Sequence, residues 1–126
     1  MGMMQIIKKE ENKTPYELFY AASHTKGTYA AYVRGKRCRT LHGLFNEFSA
    51  AFQFPSYFSD NWDSLDECLC DLEWLQFNKI ALIIDCSNEI LCTNKREKKV
   101  LESVLKAAVD FWKENDVVFT VYILDS

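Results

Sequence analysis

The apolar positions change spacing from segment to segment, and each spacing names an element. Leu41, Leu44, Phe45, Phe48 and Phe52 recur at i, i+3, i+4, i+7 and i+11, one face of a helix, with Thr40 placed as its N-cap. Pro55 marks its end, because the residue before a proline is pushed away from helical dihedrals. After a loop from Gln53 to Asp60, helical spacing returns between Asn61 and Leu72 through Trp62, Leu65, Leu69 and Leu72, and Asp60 or Asn61 can cap the start. A long helix opens at Asn94, with Glu97 in the capping-box position, and runs through Leu101, Val104, Leu105, Ala108 and Trp112. Its other face carries Glu102, Lys106 and Asp110, and Asn115-Asp116 breaks it.

Other apolar runs lack this period. Thr28 to Arg34 is rich in strand-favouring residues and stops at Gly35, which suits a turn. Ile80 to Ile84 is apolar without alternation, the pattern of a strand covered on both faces in a parallel sheet, and Asp85 follows as the chain leaves it. Val117 to Leu124 reads as a last strand. Strands alternating with helices predict an α/β domain, a three-stranded, largely parallel sheet packed by about four helices. This domain is expected over residues 28–126, preceded by a short N-terminal extension over 1–27. The extension holds a short strand at Gln5-Ile6-Ile7, a polar connector from Lys8 to Lys13, and a helix announced by the capping box of Thr14, Pro15 and Glu17 ahead of Leu18 and Phe19. No repeat or low-complexity tract interrupts the chain.

Charge changes the picture by its placement. The net charge is −3, but no Lys or Arg occurs from Thr40 through Asn78, where Glu47, Asp60, Asp63, Asp66, Glu67, Asp71 and Glu73 give −7 and leave +4 for the rest. Such a patch attracts basic proteins and repels nucleic acid, whose phosphates require Lys or Arg. Asp63 and Glu67, four residues apart, share one helical face, and Asp66, three beyond Asp63, broadens it. Their mutual repulsion costs an isolated helix a few tenths of a kcal/mol, roughly, per pair, which a cationic partner would relieve.

Other chemistry is sparse. Five cysteines, none spaced as CxxC, suggest reduced and mostly buried thiols rather than disulfides or zinc. His24 and His42 belong to no nucleophile or ligand arrangement, and there is no P-loop or Gly-rich dinucleotide turn, so no catalytic residue, metal or cofactor is assigned. The longest apolar run, Ile80 to Ile84, is far below the roughly 20 residues of a membrane span, and the start carries no secretory pattern, so a soluble cytoplasmic protein is expected.

The stretch Phe54-Pro-Ser-Tyr-Phe-Ser-Asp-Asn-Trp-Asp-Ser-Leu-Asp-Glu-Cys-Leu-Cys-Asp-Leu-Glu-Trp74 resembles the barstar family. Pro55, Tyr57-Phe58, Asn61-Trp62-Asp63, Leu65, Glu67, Cys68 and Leu69 match the family pattern at unbroken spacing, and Gly35-Lys-Arg-Cys-Arg-Thr-Leu41 falls at the family's distance upstream. The resemblance covers about Thr28 to the C-terminus and implies a three-stranded parallel sheet surrounded by helices. It further implies inhibition of a small basic microbial ribonuclease of the barnase type, one to one, by a helix and its preceding loop inserted into the active site. Tyr57 would pack against the nuclease, Asp63 and Glu67 would pair with its cationic catalytic groups, and Asn61 would shape the loop. Asp110 and Glu114 on the last helix fall where the family carries further partner-facing acids.

Three positions depart from the pattern. Ser59 replaces a glycine, which strains or reshapes the loop if a positive φ is needed there. Glu67 stands where the best-characterised member has Asp, and Asp66 where it has an aromatic residue. A related interaction or immunity module binding another basic toxin or protein is therefore an alternative. A carboxylate-based hydrolase is a remote one, since paired acids can act as acid and base. The bland reading of the acids is a solvated helix face, that of Asp60 a helix cap, and that of Trp62, Leu65, Leu69 and Trp112 a core.

Overall fold

A strand that is apolar on both faces needs neighbours above and below it, and the fold supplies both. The computed structural model describes residues 4–6 and 13–125. The chain runs β1 (Met4–Ile6), α1 (Pro15–Ser23), β2 (Thr28–Arg34), α2 (Leu41–Phe52), α3 (Trp62–Leu69), β3 (Lys79–Asp85), α4 (Lys95–Glu114) and β4 (Val118–Ile123), with short 3-10 turns at Gly35–Arg37 and Ser87–Glu89. The sheet order is β1-β4-β3-β2 and every pairing is parallel. The expected three parallel strands are β2, β3 and β4, and the expected four helices are present. The N-terminal strand joins the same sheet as a fourth member, with Met4, Gln5 and Ile6 opposite Val121, Tyr122 and Ile123. Ile7 of the expected strand and residues 8–12 of the expected connector lie outside the described residues.

Strand periodicity sorts the side chains to two faces. Ala31 and Val33 of β2, Ile80, Leu82 and Ile84 of β3, and Phe119 and Val121 of β4 meet Leu44, Phe48 and Phe52 of α2, Leu65 and Leu69 of α3, and Leu101, Leu105 and Ala108 of α4 in one buried core. On the opposite face Ala81 and Ile83 pack with Tyr32, Tyr122 and Leu124 against Leu18, Phe19 and Ala22 of α1. That second layer explains why Ile80 to Ile84 shows no alternation.

The caps follow local sequence. Thr14 and Glu17 close a reciprocal box, the Thr14 N–H donating to Glu17 Oε1 at 2.9 Å and the Glu17 N–H to Thr14 Oγ1 at 3.1 Å. Thr40 accepts from the Gly43 N–H, and Asn61 rather than Asp60 caps α3 by accepting from the Ser64 N–H at 2.8 Å. At α4 the Asn94 cap forms, but the Glu97 carboxylate does not close the expected box; its Oε2 accepts from the Trp62 indole at 2.6 Å. Helix α3 also stops at Leu69, short of Leu72: Cys70 leaves helical geometry (φ −97°, ψ 4°), and Leu72, in the left-handed region (φ 49°), still reaches the core.

Each tryptophan ties its element to another. Trp62 joins the start of α3 to the start of α4, Trp112 Nε1 donates to the Leu69 carbonyl at the end of α3 (2.7 Å), and Trp74 Nε1 donates to the Phe52 carbonyl at the end of α2 (2.8 Å). All three are half-buried against the core, as expected for Trp62 and Trp112. Gly35 answers a close approach, since a Cβ there would collide with the Cys86 carbonyl. Cys38 and Cys68 are buried, but Cys70 and Cys86 are only half-buried and Cys92 is exposed, so the thiols are less uniformly interior than expected. Burial pushes the Cys38 thiol up to about 12 and Cys70 to about 11.

Candidate partner-binding face

The loop after α2 is anchored by its apolar residues and presents a polar one. Gln53 ends α2 in the left-handed conformation (φ 54°), and Phe54 and Phe58 turn toward the core with ring centroids 4.8 Å apart. Tyr57 between them faces outward, 48% exposed. Its hydroxyl donates to Asp71 Oδ2 at 2.6 Å and its ring meets Trp74 edge-on at 6.2 Å. The hydrogen bond to the Asp71 carboxylate, aided by partial desolvation, holds the phenol above its ordinary range.

Between loop and helix the polar groups interlock. The Ser59 N–H donates to Ser64 Oγ at 2.9 Å, the Asn61 N–H donates to the Ser59 carbonyl at 2.7 Å, and the Asn61 side chain caps Ser64. Among the described residues, the non-glycine positions with positive φ are Gln53, Leu72, Cys86, Leu91 and Asp116. Ser59 is not one of them. Its substitution for glycine therefore costs no left-handed strain, and its N–H is part of what fixes the loop.

Helix α3 divides cleanly. Leu65, Cys68 and Leu69 are buried, and Asp63, Asp66 and Glu67 are exposed together. Asp63 lies in the first turn, where a carboxylate favours the helix dipole by about 0.3–1 kcal/mol. Asp66 and Glu67 lie in the last turn of this eight-residue helix, where the dipole opposes them. Among the described residues the ion pairs are Arg34–Glu47, Arg39–Glu89 and, at 4.0 Å, His42–Asp60. None reaches the acids of α3.

The structure thus gathers Tyr57, Asn61, Asp63, Asp66 and Glu67 on one loop-and-helix unit. Asp110, half-buried, and exposed Glu114 lie one turn apart near the end of α4, the helix bound to α3 through Trp62 and Trp112. No hydrogen bond or ion pair among the described residues links them to the α3 acids. Sequence reasoning missed two uses of acids in this span. Glu47 is buried and accepts from the Arg34 N–H, Nε and Nη2, and Asp71 accepts from Tyr57. Only an i-to-i+14 pairing links Tyr57 with Asp71, and no local pattern announces one.

Among the described residues no three His, Cys, Asp or Glu side chains group to hold a metal ion, and no helix is long and apolar enough to cross a membrane. Compared with family models, residues 28–123 match the one described as Barstar (barnase inhibitor). Comparison with curated proteins yields no match.

Proposed function

We propose that this chain, which belongs to the barstar family, inhibits a small basic ribonuclease of the barnase type by seating α3 and the loop before it in the nuclease active site, one to one. Such active sites hold phosphates with Arg, Lys and His and stabilise developing negative charge with them. Carboxylates on a rigid helix can take the phosphates' places. Asp63 and Glu67 pair with those cations, Asp66 extends the negative field, Tyr57 packs on the nuclease surface, and Asn61 sets the loop that delivers them. Asp110 and Glu114 meet cations at the edge of the cleft. The chain acts as a binding protein and carries no catalytic residue of its own.

One observation carries this reading: exposed acids with no cationic partner among the described residues stand on α3, two of them at the end of the helix where the dipole disfavours them. Folding gives no reason for that arrangement, whereas a basic cleft does. A second reading keeps the face and changes the partner. It is supported by Asp66, which puts charge where the best-characterised member has an aromatic residue, and by Glu67, whose longer side chain moves the carboxylate outward by about one bond and alters a desolvated pair.

The test is a titration of purified protein into a barnase-type ribonuclease assay beside a folded Asp63→Ala/Glu67→Ala variant. Stoichiometric loss of nuclease activity with the parent alone supports the inhibitor reading. A folded parent that leaves the nuclease active overturns it, and the basic partner is then sought among other toxins.

A further inference from the structure

An exposed tyrosine that must dock is an uncertain tool unless something holds it. Free in solvent it samples several χ1 wells, and fixing a rotamer-rich side chain on binding costs about 0.5–1.5 kcal/mol, or roughly two- to tenfold in affinity at 1.4 kcal/mol per decade. Tyr57 is held at both ends before any partner arrives. Trp74 stands edge-on to its ring, and Trp74 is itself fixed by the hydrogen bond to the Phe52 carbonyl and by an edge contact with Phe54 at 6.2 Å. Asp71 takes its hydroxyl at 2.6 Å. Asp71 sits in the turn that follows α3, its N–H donating to the Cys68 carbonyl at 3.2 Å, so the loop before α3 is clamped to the turn behind it.

We infer that Asp71 is a positioning residue: its carboxylate holds Tyr57 in the rotamer that docks on the partner, and it does not itself meet the partner's cations. The inference rests on the inhibitor reading for the docking role of Tyr57, and on this chain's own geometry for the clamp. It separates Asp71 from Asp63, Asp66 and Glu67, with which charge alone would group it.

The experiment compares the parent, Asp71→Asn, Asp71→Ala, Tyr57→Phe and the Asp71→Ala/Tyr57→Phe double variant. Two readouts are taken: affinity for a barnase-type ribonuclease, and order of the Tyr57 ring in the free protein by aromatic 13C relaxation. A positioning role needs an acceptor and not a charge. Asp71→Asn therefore keeps parental affinity and ring order, Asp71→Ala and Tyr57→Phe each lose about two- to tenfold, and the double variant loses no more than either single one. The ring is mobile in Asp71→Ala.

If Asp71→Asn loses as much as Asp71→Ala with the ring still ordered, Asp71 is a partner-facing charge and the inference falls. A Tyr57 ring as mobile in the parent as in Asp71→Ala also overturns it. If the parent does not bind the nuclease while ring order follows the acceptor as described, the inhibitor reading has failed and the docking role of the clamp fails with it. The clamp's own geometry is then the part left standing.

Discussion

Glu47 and Glu67 come from the same span without lysine or arginine and sit on consecutive helices, yet their surroundings are opposite. Glu47 is 8% exposed and bound by Arg34 through a forked guanidinium contact, at 3.0 and 2.7 Å, and by the Arg34 backbone N–H. Glu67 is exposed, at the dipole-disfavoured end of α3, with no cationic partner among the described residues. The first closes an outward N–H of an edge strand and fastens α2 to β2. The second makes no hydrogen bond or ion pair among the described residues. A charge count treats the two alike, and only tertiary pairing separates an acid used inside from one left exposed.

The largest effect that would sharpen this contrast is on binding. Removing one member of a desolvated ion pair costs about 3–5 kcal/mol, on the order of a hundredfold or more in affinity. Asp63→Ala and Glu67→Ala are each expected to weaken inhibition by that order in the titration assay. Stability should move differently. Asp63→Ala gives up the dipole contribution of about 0.3–1 kcal/mol, whereas Glu67→Ala melts no lower than the parent, because it relieves an unfavourable charge. A Glu67→Ala protein that unfolds early would place Glu67 with Glu47 and erase the distinction.

Glu47→Ala is the converse. It strips Arg34 of its carboxylate and leaves an edge-strand N–H without its acceptor, a loss of about 1–3 kcal/mol in denaturant unfolding, with inhibition by the folded fraction retained. Acid should imitate the mutation. The Arg34 guanidinium, with the Arg34 N–H, holds the Glu47 carboxyl below its ordinary 4.5 against the opposing push of burial. A carboxyl lowered on folding stabilises fully above its unfolded value, and that contribution is lost as pH falls through the folded one. The parent therefore loses stability below about pH 4.5, where the ordinary value lies. Glu47→Ala should lose less over the same window, as thermal melts at stepped pH will read.

How far the sequence revealed all this depended on whether the determinant was local. The four N-caps at Thr14, Thr40, Asn61 and Asn94 rest on contacts three residues apart, and spacing alone locates three of them and narrows the one at α3 to Asp60 or Asn61. The two-sided burial of β3 was legible in an unbroken apolar run, although what covers its second face, α1, was not. Non-local pairings were invisible. Glu97 turns from its own cap to Trp62, 35 residues away, and Glu47 looks like surface until Arg34 is placed beside it. The same holds for β1, whose three residues could pair with either sheet edge and whose choice of β4 is a matter of tertiary arrangement. At the candidate site, the loop-and-helix acids were readable as a group because helical period is local. The clamp between Tyr57 and Asp71 was not.

The smallest expected effect tests whether Asp66 belongs with the exposed set in kind as well as in place. A charge beside an interface acts mainly while the partners are still apart, so Asp66→Asn should slow association a few-fold, roughly, and leave dissociation nearly unchanged. Salt should close the gap, because the screening length falls from about 10 Å at 0.1 M to about 3 Å at 1 M. The Arg34→Gln/Glu47→Gln double variant supplies the control. The two charges are paired at 2.7 Å, so removing both leaves the net charge unchanged and takes away little of the field that a distant partner senses, and the association rate should fall with salt as steeply as the parent's. Stopped-flow association at stepped ionic strength reads both. A flatter salt slope for Asp66→Asn than for the Arg34→Gln/Glu47→Gln variant, which loses one acid as well, is the result required if exposure and pairing, and not the count of acids, decide which charges reach the partner.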